Sequence, residues 1–174
     1  MRDLEVRGAV SAASGQARSE LCLLVVFALD EQRYALFLPA VDTVVRAVEI
    51  APLPKAPEIV LGVVNLRGDV IPVFDVRKRF QLRDREMQLS DQLVVAKASR
   101  RKVALLVDSV TGVVGCAEEE VVAATKVHPA IEFVEGIAKL DGRLILIHDL
   151  AKFLSLEEDA LLDAALQQRA GEAE

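Results

Sequence analysis

A chain of 174 residues that is 52 % hydrophobic and 28 % charged has the apolar material for one compact unit or two small lobes. Its formal net charge of −6 excludes a nucleic-acid binder that relies on phosphate contacts. Aromatics are only 4 % and Trp is absent, so the core has to be Val, Leu, Ile and Ala. That bias favours strands, because β-branched side chains pack well on a pleated surface.

Residues 1–19, rich in Ala, Ser, Gly and charge, read as a disordered tail without the apolar run of a signal peptide. No segment approaches the roughly 18 apolar residues needed to span a bilayer, and the expectation is an intracellular, cytoplasmic protein. From Leu21 the chain punctuates like a β protein. An apolar run over 21–29 meets a turn at Asp30-Glu31-Gln32, and a second run over 33–38 is ended by Pro39. Residues 40–46 suit one or two turns of helix. Leu53-Pro54-Lys55-Ala56-Pro57 is a loop. A run over 59–66, a turn at Arg67-Gly68-Asp69 and a run over 70–76 make another hairpin, and polar residues 81–91 link to the second half.

The second half repeats the first. Arg33-Tyr34-Ala35-Leu36-Phe37-Leu38 aligns with Lys102-Val103-Ala104-Leu105-Leu106-Val107, an offset of 102 − 33 = 69, which also lays Val41, Val44 and Val45 on Val110, Val113 and Val114. Residues 62–76 align with 136–150 at an offset of 142 − 68 = 74, with Gly, Leu, Gly, Ile and Asp coinciding. Each copy therefore offers a hairpin, a short helix, a loop and a second hairpin. Leu140-Asp141-Gly142-Arg143 is a type I′ turn signal, since Gly accepts positive φ. A short sheet of this kind buries its apolar face by curling into a barrel. Two such lobes leave a groove between them. After the second copy, Ser155 and Glu158 have capping-box spacing, so a fresh helix starts there with Leu161, Leu162, Ala165 and Leu166 as its stripe.

No catalytic constellation emerges. His128 and His148 lack metal-ligand spacing, and neither a Gly-x-Ser-x-Gly elbow nor a phosphate-binding loop is present. Neither metal nor cofactor is expected. Cys22 and Cys116 are far apart in sequence, and each reads as a small buried hydrophobe in a reducing compartment. Glu118-Glu119-Glu120 marks a solvated loop or helix start, and Asp75 and Asp149 read as helix caps or turn anchors. The basic clusters at 77–85 and 100–102 read as solvated strand ends, or as a docking patch for an acidic partner.

The stretch Gly62-Val63-Val64-Asn65-Leu66-Arg67-Gly68-Asp69-Val70-Ile71-Pro72-Val73-Phe74-Asp75-Val76-Arg77-Lys78-Arg79-Phe80 resembles the signature of the CheW family, an Asn-Leu-Arg-Gly turn followed by a Pro-containing strand, Asp-Leu/Val-Arg and a closing Phe. Gly136 to Asp149-Leu150 is similar to that family's C-terminal hairpin. The resemblance implies a mainly β fold: two SH3-like five-stranded β-barrel lobes from an internal duplication, with short helices and a C-terminal helix. Residues 20–156 would form the CheW-like domain, with lobes at roughly 40–85 and 95–150 that exchange strands, and residues 157–174 a helical tail.

It also implies a non-catalytic adaptor coupling methyl-accepting chemoreceptors to the regulatory domain of the histidine kinase CheA in a chemosensory array, with other CheW-like proteins as further partners. A small-ligand-binding barrel, or a module binding other CheW-like domains outside motility, are the alternatives. Candidate receptor- or kinase-binding residues are Arg67, Val41, Thr43, Val44, Val45, Arg46, Val110 and Val113. Asn65, Leu66, Gly68, Pro72, Asp75, Gly142 and Asp149 are the turn and motif residues. The family often has Glu where this chain has Thr43, so an ion pair from that position to Arg67 is not available.

Overall fold

Val- and Ile-rich runs separated by turn residues become strands in the computed structural model, which describes residues 20–127 and 133–172. The expected tail over residues 1–19 and His128 lie outside the described residues. The strands are β1 (Leu21–Leu29), β2 (Gln32–Phe37), β3 (Val41–Arg46), β4 (Val60–Leu66), β5 (Asp69–Asp75), β6 (Gln92–Ala98), β7 (Arg101–Val107), β8 (Ser109–Ala117), β9 (Val121–Ala123), β10 (Val134–Leu140) and β11 (Arg143–His148). The helices are α1 (Val76–Arg79), α2 (Ala124–Val127) and α3 (Leu156–Glu172). One sheet runs β8-β1-β2-β11-β10-β9, and the other runs β3-β6-β7-β5-β4. The fold is mainly β with a C-terminal helix. Its lobes carry six and five strands, the sixth being the short β9, and both ladders stay open at their edges.

The chain divides into two compact units. One takes the described residues up to Val41 together with those between Asp108 and Asp149 and holds the six-stranded sheet. The other takes Asp42–Val107 together with the residues from Leu150 on and holds the five-stranded sheet. The sequence repeat reappears as an exchange of hairpins. In the first unit β11 lies parallel to β2, with Ile147 opposite Ala35. In the second, β5 lies parallel to β7, with Val73 opposite Ala104. Those are equivalent pairs at offsets 147 − 73 = 74 and 104 − 35 = 69. Each sheet thus joins a first hairpin from one copy to a second hairpin from the other.

Six positions of the two cores match, and Cys116 is an additional member of the first. Val64, Ile71, Val73, Leu93, Val95 and Ala104 form the core of the second unit. Their equivalents Ala138, Ile145, Ile147, Leu24, Val26 and Ala35 stand in the core of the first. Where the copies differ, a local cause is visible. The β11–β2 ladder begins at Ile145, but the β5–β7 ladder begins only at Val73. Pro72 stands just before that start, and its ring nitrogen has no hydrogen to give a neighbouring strand.

One expected element is different. Residues 40–46 do not form the expected helix: Ala40 ends a single 3-10 turn, Leu38–Ala40 with Pro39 inside it, and β3 follows from Val41. Their equivalents Val110, Val113 and Val114 lie in β8. The apolar spacing suited a helix face, but β-branched Val and Thr dominate the segment and prefer extended backbone. Strand alternation puts Val41, Thr43 and Val45 on one face, and Asp42, Val44 and Arg46 on the other.

Helix α3 is integral to the second unit. Ser155 Oγ accepts the Glu158 N–H at 3.1 Å, and Glu158 Oε2 accepts the Ser155 N–H at 2.8 Å, a reciprocal capping box. Leu162 and Ala165 are buried, whereas Leu161 faces solvent. At the approach to the helix, Phe153 stacks on Phe74 with ring centroids 5.4 Å apart.

Candidate functional site

The Asn-Leu-Arg-Gly motif closes the β4–β5 hairpin. Leu66 pairs with Asp69, leaving Arg67 and Gly68 as the two loop residues with φ of +54° and +90°. Two positive φ values in succession define a type I′ turn, whose twist matches the strands it joins. Asn65 Oδ1 accepts the Gly68 N–H at 3.0 Å, and Leu66 packs against the core. A β-carbon on Gly68 would meet no atom within 4 Å, so it is the turn's φ that calls for glycine there. Arg67 is thereby carried on a fixed backbone with its side chain exposed. Among the described residues no carboxylate pairs with it.

Beside this turn, Lys102 Nζ lies 3.4 Å from Asp42 Oδ2 and 3.7 Å from Asp69 Oδ2. Asp42 is the second residue of β3 and Asp69 follows the turn, so one ammonium draws the start of the edge strand and the Arg67 hairpin to the same end of the sheet. Thr43, Val44, Val45 and Arg46 run on from there. Val45 packs against the core, and Arg46 is exposed. Sequence reading placed Lys102 only in the basic cluster 100–102 and did not foresee its pairing with Asp42 and Asp69.

Val110 and Val113 belong to the other unit, with Val41. They sit on β8 opposite Phe27 and Val25, and Val113 is buried. Thr111 stands between the registers of Val26 and Phe27 and donates its hydroxyl to Val26 O at 3.1 Å. The remaining motif residues hold backbone in place. Asp75 caps α1 by accepting the Lys78 N–H at 3.4 Å. Asp75 and Asp149 also make matching bonds, their N–H groups reaching Ile59 O and Phe133 O at 2.8 Å each. Asp141 and Gly142 form the second type I′ turn, with φ of +51° and +75°.

Most side chains of the basic clusters face inward or onto this chain's own acids, while Arg83 is exposed. Arg77 is buried and donates to Arg83 O at 3.3 Å. Arg79 pairs with Glu158 at 2.7 Å and lies 5.6 Å above the Phe153 ring. Arg100 and Arg101 both pair with Asp159 and Asp163 of α3. Hydrogen bonding from Arg101, then Arg100, holds the Asp163 carboxyl below its usual range. Burial pulls the Glu158 carboxyl upward, but the Ser155 N–H and Arg79 outweigh it and the group ends low. The acidic partner suggested by the charge clusters is, for Arg100 and Arg101, the chain's own helix.

A family model described as the CheW-like domain matches residues 23–158. The chain belongs to the CheW-like domain family. Its CheW-like sequence is 32 % identical over 128 residues to a chemotaxis protein CheW of Thermotoga maritima, covering 74 % of this chain and 84 % of that one. To the CheW of Treponema pallidum it is 28 % identical over 141 residues, covering 78 % and 83 %. The CheW-like fold matches the crystal structure of the scaffolding protein TtCheW from Thermoanaerobacter tengcongensis with a TM-score of 0.74 and 34 % identity, over 80 % of this chain and 96 % of that one. No helix among the described residues is long and apolar enough to cross a membrane, and none of their His, Cys, Asp and Glu side chains forms a cluster of three or more that could hold a metal ion.

Proposed function

We propose that this chain is a non-catalytic adaptor of a chemosensory array, coupling methyl-accepting chemoreceptors to a CheA-type histidine kinase at the cytoplasmic face of the membrane. The observation that carries this reading is the CheW-like match across residues 23–158, together with the likeness to a scaffolding protein over the same fold. The Arg67 turn and the outward face of β3 are the proposed contact surface. A type I′ turn presents an arginine at low entropic cost, because its backbone is already fixed. Arginine suits such a role, since its planar fork binds carboxylates in two-point fashion. Val44 and the stem of Arg46 supply apolar area to a helical partner. Weak individual contacts of this kind gain strength through repetition in an array.

The small-ligand alternative has less support. A cleft beside Phe74, Arg101 and Leu154 has 210 Å³, below the ~300–1,000 Å³ of typical ligand pockets. One of 390 Å³ beside Lys78, Arg79 and Glu158 is lined mainly by charged and polar side chains instead of the apolar ones such pockets use. Isothermal calorimetry against the regulatory domain of the cognate CheA, with Arg67→Ala alongside, tests the adaptor reading. Saturable one-to-one binding is expected, weakened about tenfold or more by the substitution. A folded protein that binds neither that domain nor a receptor tip would overturn it.

A further inference from the structure

Two cysteines that the sequence separates by most of the chain face each other across one sheet. In the β1–β8 ladder Cys22 is the direct partner of Cys116. Cross-strand partners share a face, and here both thiols touch the same core cluster, with Cys116 buried inside it and Cys22 half-exposed at its margin. The ladder does not fray beside them, because the Glu118 N–H donates to Glu20 O at 3.1 Å, two pairs further along. That bond fixes the phase of the antiparallel pattern, in which hydrogen-bonded pairs alternate with non-hydrogen-bonded ones. Cys22 and Cys116 therefore form a hydrogen-bonded pair, whose Cα atoms stand about 5.5 Å apart. A disulfide spans Cα separations of about 4.4–6.8 Å. Its Cβ separation of about 3.5–4.5 Å requires the two strands to draw slightly closer here than the about 4.5–5.5 Å of a cross-strand pair. Both thiols are free in the structure.

We propose that Cys22 and Cys116 are an oxidisable dithiol that closes to an intramolecular disulfide, locking edge strand β8 to β1. This goes beyond the adaptor reading and does not depend on it. The oxidant is a hydroperoxide. The Cys22 thiolate, at the accessible end, attacks the peroxide oxygen and becomes a sulfenic acid as the O–O bond breaks and the first water leaves. The Cys116 sulfur then attacks the sulfenic sulfur, the S–S bond forms, and the hydroxyl leaves as a second water. Two thiols lose two electrons and two protons, and one peroxide becomes two waters. Burial first, then the charges of Glu118 and Glu20, push the Cys22 thiol up, so the thiolate is scarce at neutral pH. Closure is accordingly slow near pH 7 and accelerates as pH rises.

The test treats the folded full-length protein with hydrogen peroxide at pH 7 and pH 8.5, followed by intact mass and peptide mapping. The expected product is a monomer that has lost two hydrogens, with a Cys22–Cys116 cross-linked peptide, no titratable thiol, and full reversal by dithiothreitol. The rate rises more than about tenfold between the two pH values, following the thiolate fraction, and Cys116→Ser gives no such monomer. The oxidised form melts on the order of 5–10 °C higher than the reduced form. Sulfinic acid at Cys22 with Cys116 still free, disulfide-linked dimers, or cross-linking only after unfolding would each overturn the proposal. All of these are read on the unsubstituted protein, so a poorly folded variant does not blunt the test.

Discussion

Gly62 and Gly136 occupy the same bulge in equivalent hairpins, and at both a second segment of chain closes on the place a β-carbon would take. The β4–β5 register slips between Val60 and Gly62, and the β10–β11 register slips between Val134 and Gly136. Each glycine therefore sits where a strand bends and another strand's backbone can approach. At Gly62 the intruder is backbone: an added Cβ would lie 2.2 Å from Ala51 O, and φ is +153°. Ala51 is itself fixed by two bonds to Val63, of 2.9 and 2.8 Å. At Gly136 the nearest atom is Val121 Cγ1 at 2.9 Å, a side-chain methyl that can turn aside.

Gly62→Ala is thus expected to cost about 2–4 kcal/mol, and Gly136→Ala about 1–2 kcal/mol. Urea denaturation of the two variants measures both. Equal costs would mean that the backbone clash at Ala51 relaxes as easily as a side chain does.

The second prediction concerns a residue that composition hides inside a polar linker. Asp91 is buried, and its carboxylate accepts Arg85 Nη1 at 3.0 Å, Arg85 Nη2 at 2.7 Å and the Gln88 N–H at 2.8 Å. Its backbone carbonyl takes the Ala47 N–H at 2.9 Å, just past the end of β3. Removing one partner of a buried ion pair leaves the other desolvated without compensation. Arg85 remains a quarter exposed, which moderates the effect. Arg85→Ala is expected to cost about 2–3 kcal/mol and to speed amide exchange at Ala47. Normal exchange at Ala47 in a destabilised variant would separate the ion pair from the anchoring of β3.

How far the sequence carried follows from which interactions repeat. The hairpins, the type I′ turn at Asp141-Gly142, the presence though not the type of the turn at Arg67-Gly68, the capping box at Ser155 and the duplicated order were legible, because turn residues, alternation and caps act over a few positions. The exchange of hairpins was implied by the family resemblance. Its register comes from pairs such as Val73 with Ala104, which no local pattern encodes. The segment 40–46 misled because valines at 41, 44 and 45 fit a helical face as well as they fit a strand. Lys102 between Asp42 and Asp69, Arg85 on Asp91, and the Cys22–Cys116 register are contacts between segments. Only the folded chain brings them together.

Helix α3 supplies a third prediction, on what holds it. Its apolar attachment is narrow, resting on Leu162 and Ala165, and charges complete the contact. Leu162→Ala is expected to cost about 2–4 kcal/mol, and Ser155→Ala about 1 kcal/mol through loss of the cap. Arg100 is mostly exposed, so its pairs with Asp159 and Asp163 are screened by salt. Amide exchange along 156–172 should therefore quicken between low salt and 1 M salt, while exchange in β6 and β7 does not. If α3 is unaffected by salt, the buried Leu162 and the Phe153 stack hold it without the arginines.

The last prediction turns on His148, which stands at the position of Phe74 in the other copy, at the offset of 148 − 74 = 74. It lies 5.5 Å from the Phe27 ring and 5.4 Å from the Tyr34 ring. Burial among these rings disfavours the imidazolium and brings the pKa from 6.5 down to about 3. The sign follows from proton counting. Between about pH 6.5 and pH 3 the unfolded chain holds a proton on this residue that the folded chain does not, so stability falls as pH falls. The slope approaches about 1.4 kcal/mol per pH unit, which amounts to roughly 2 kcal/mol lost between pH 7 and pH 5. Glu158 and Asp163, both held low, lose their contribution only further into acid, so this window belongs mainly to the imidazole. His148→Phe puts the other copy's residue into the slot. It should flatten the pH dependence of urea unfolding across that interval, while leaving stability at pH 7 within about 1.5 kcal/mol. A variant whose slope matches the parent's would show that His148 is protonated in the folded chain and that the acid sensitivity arises elsewhere.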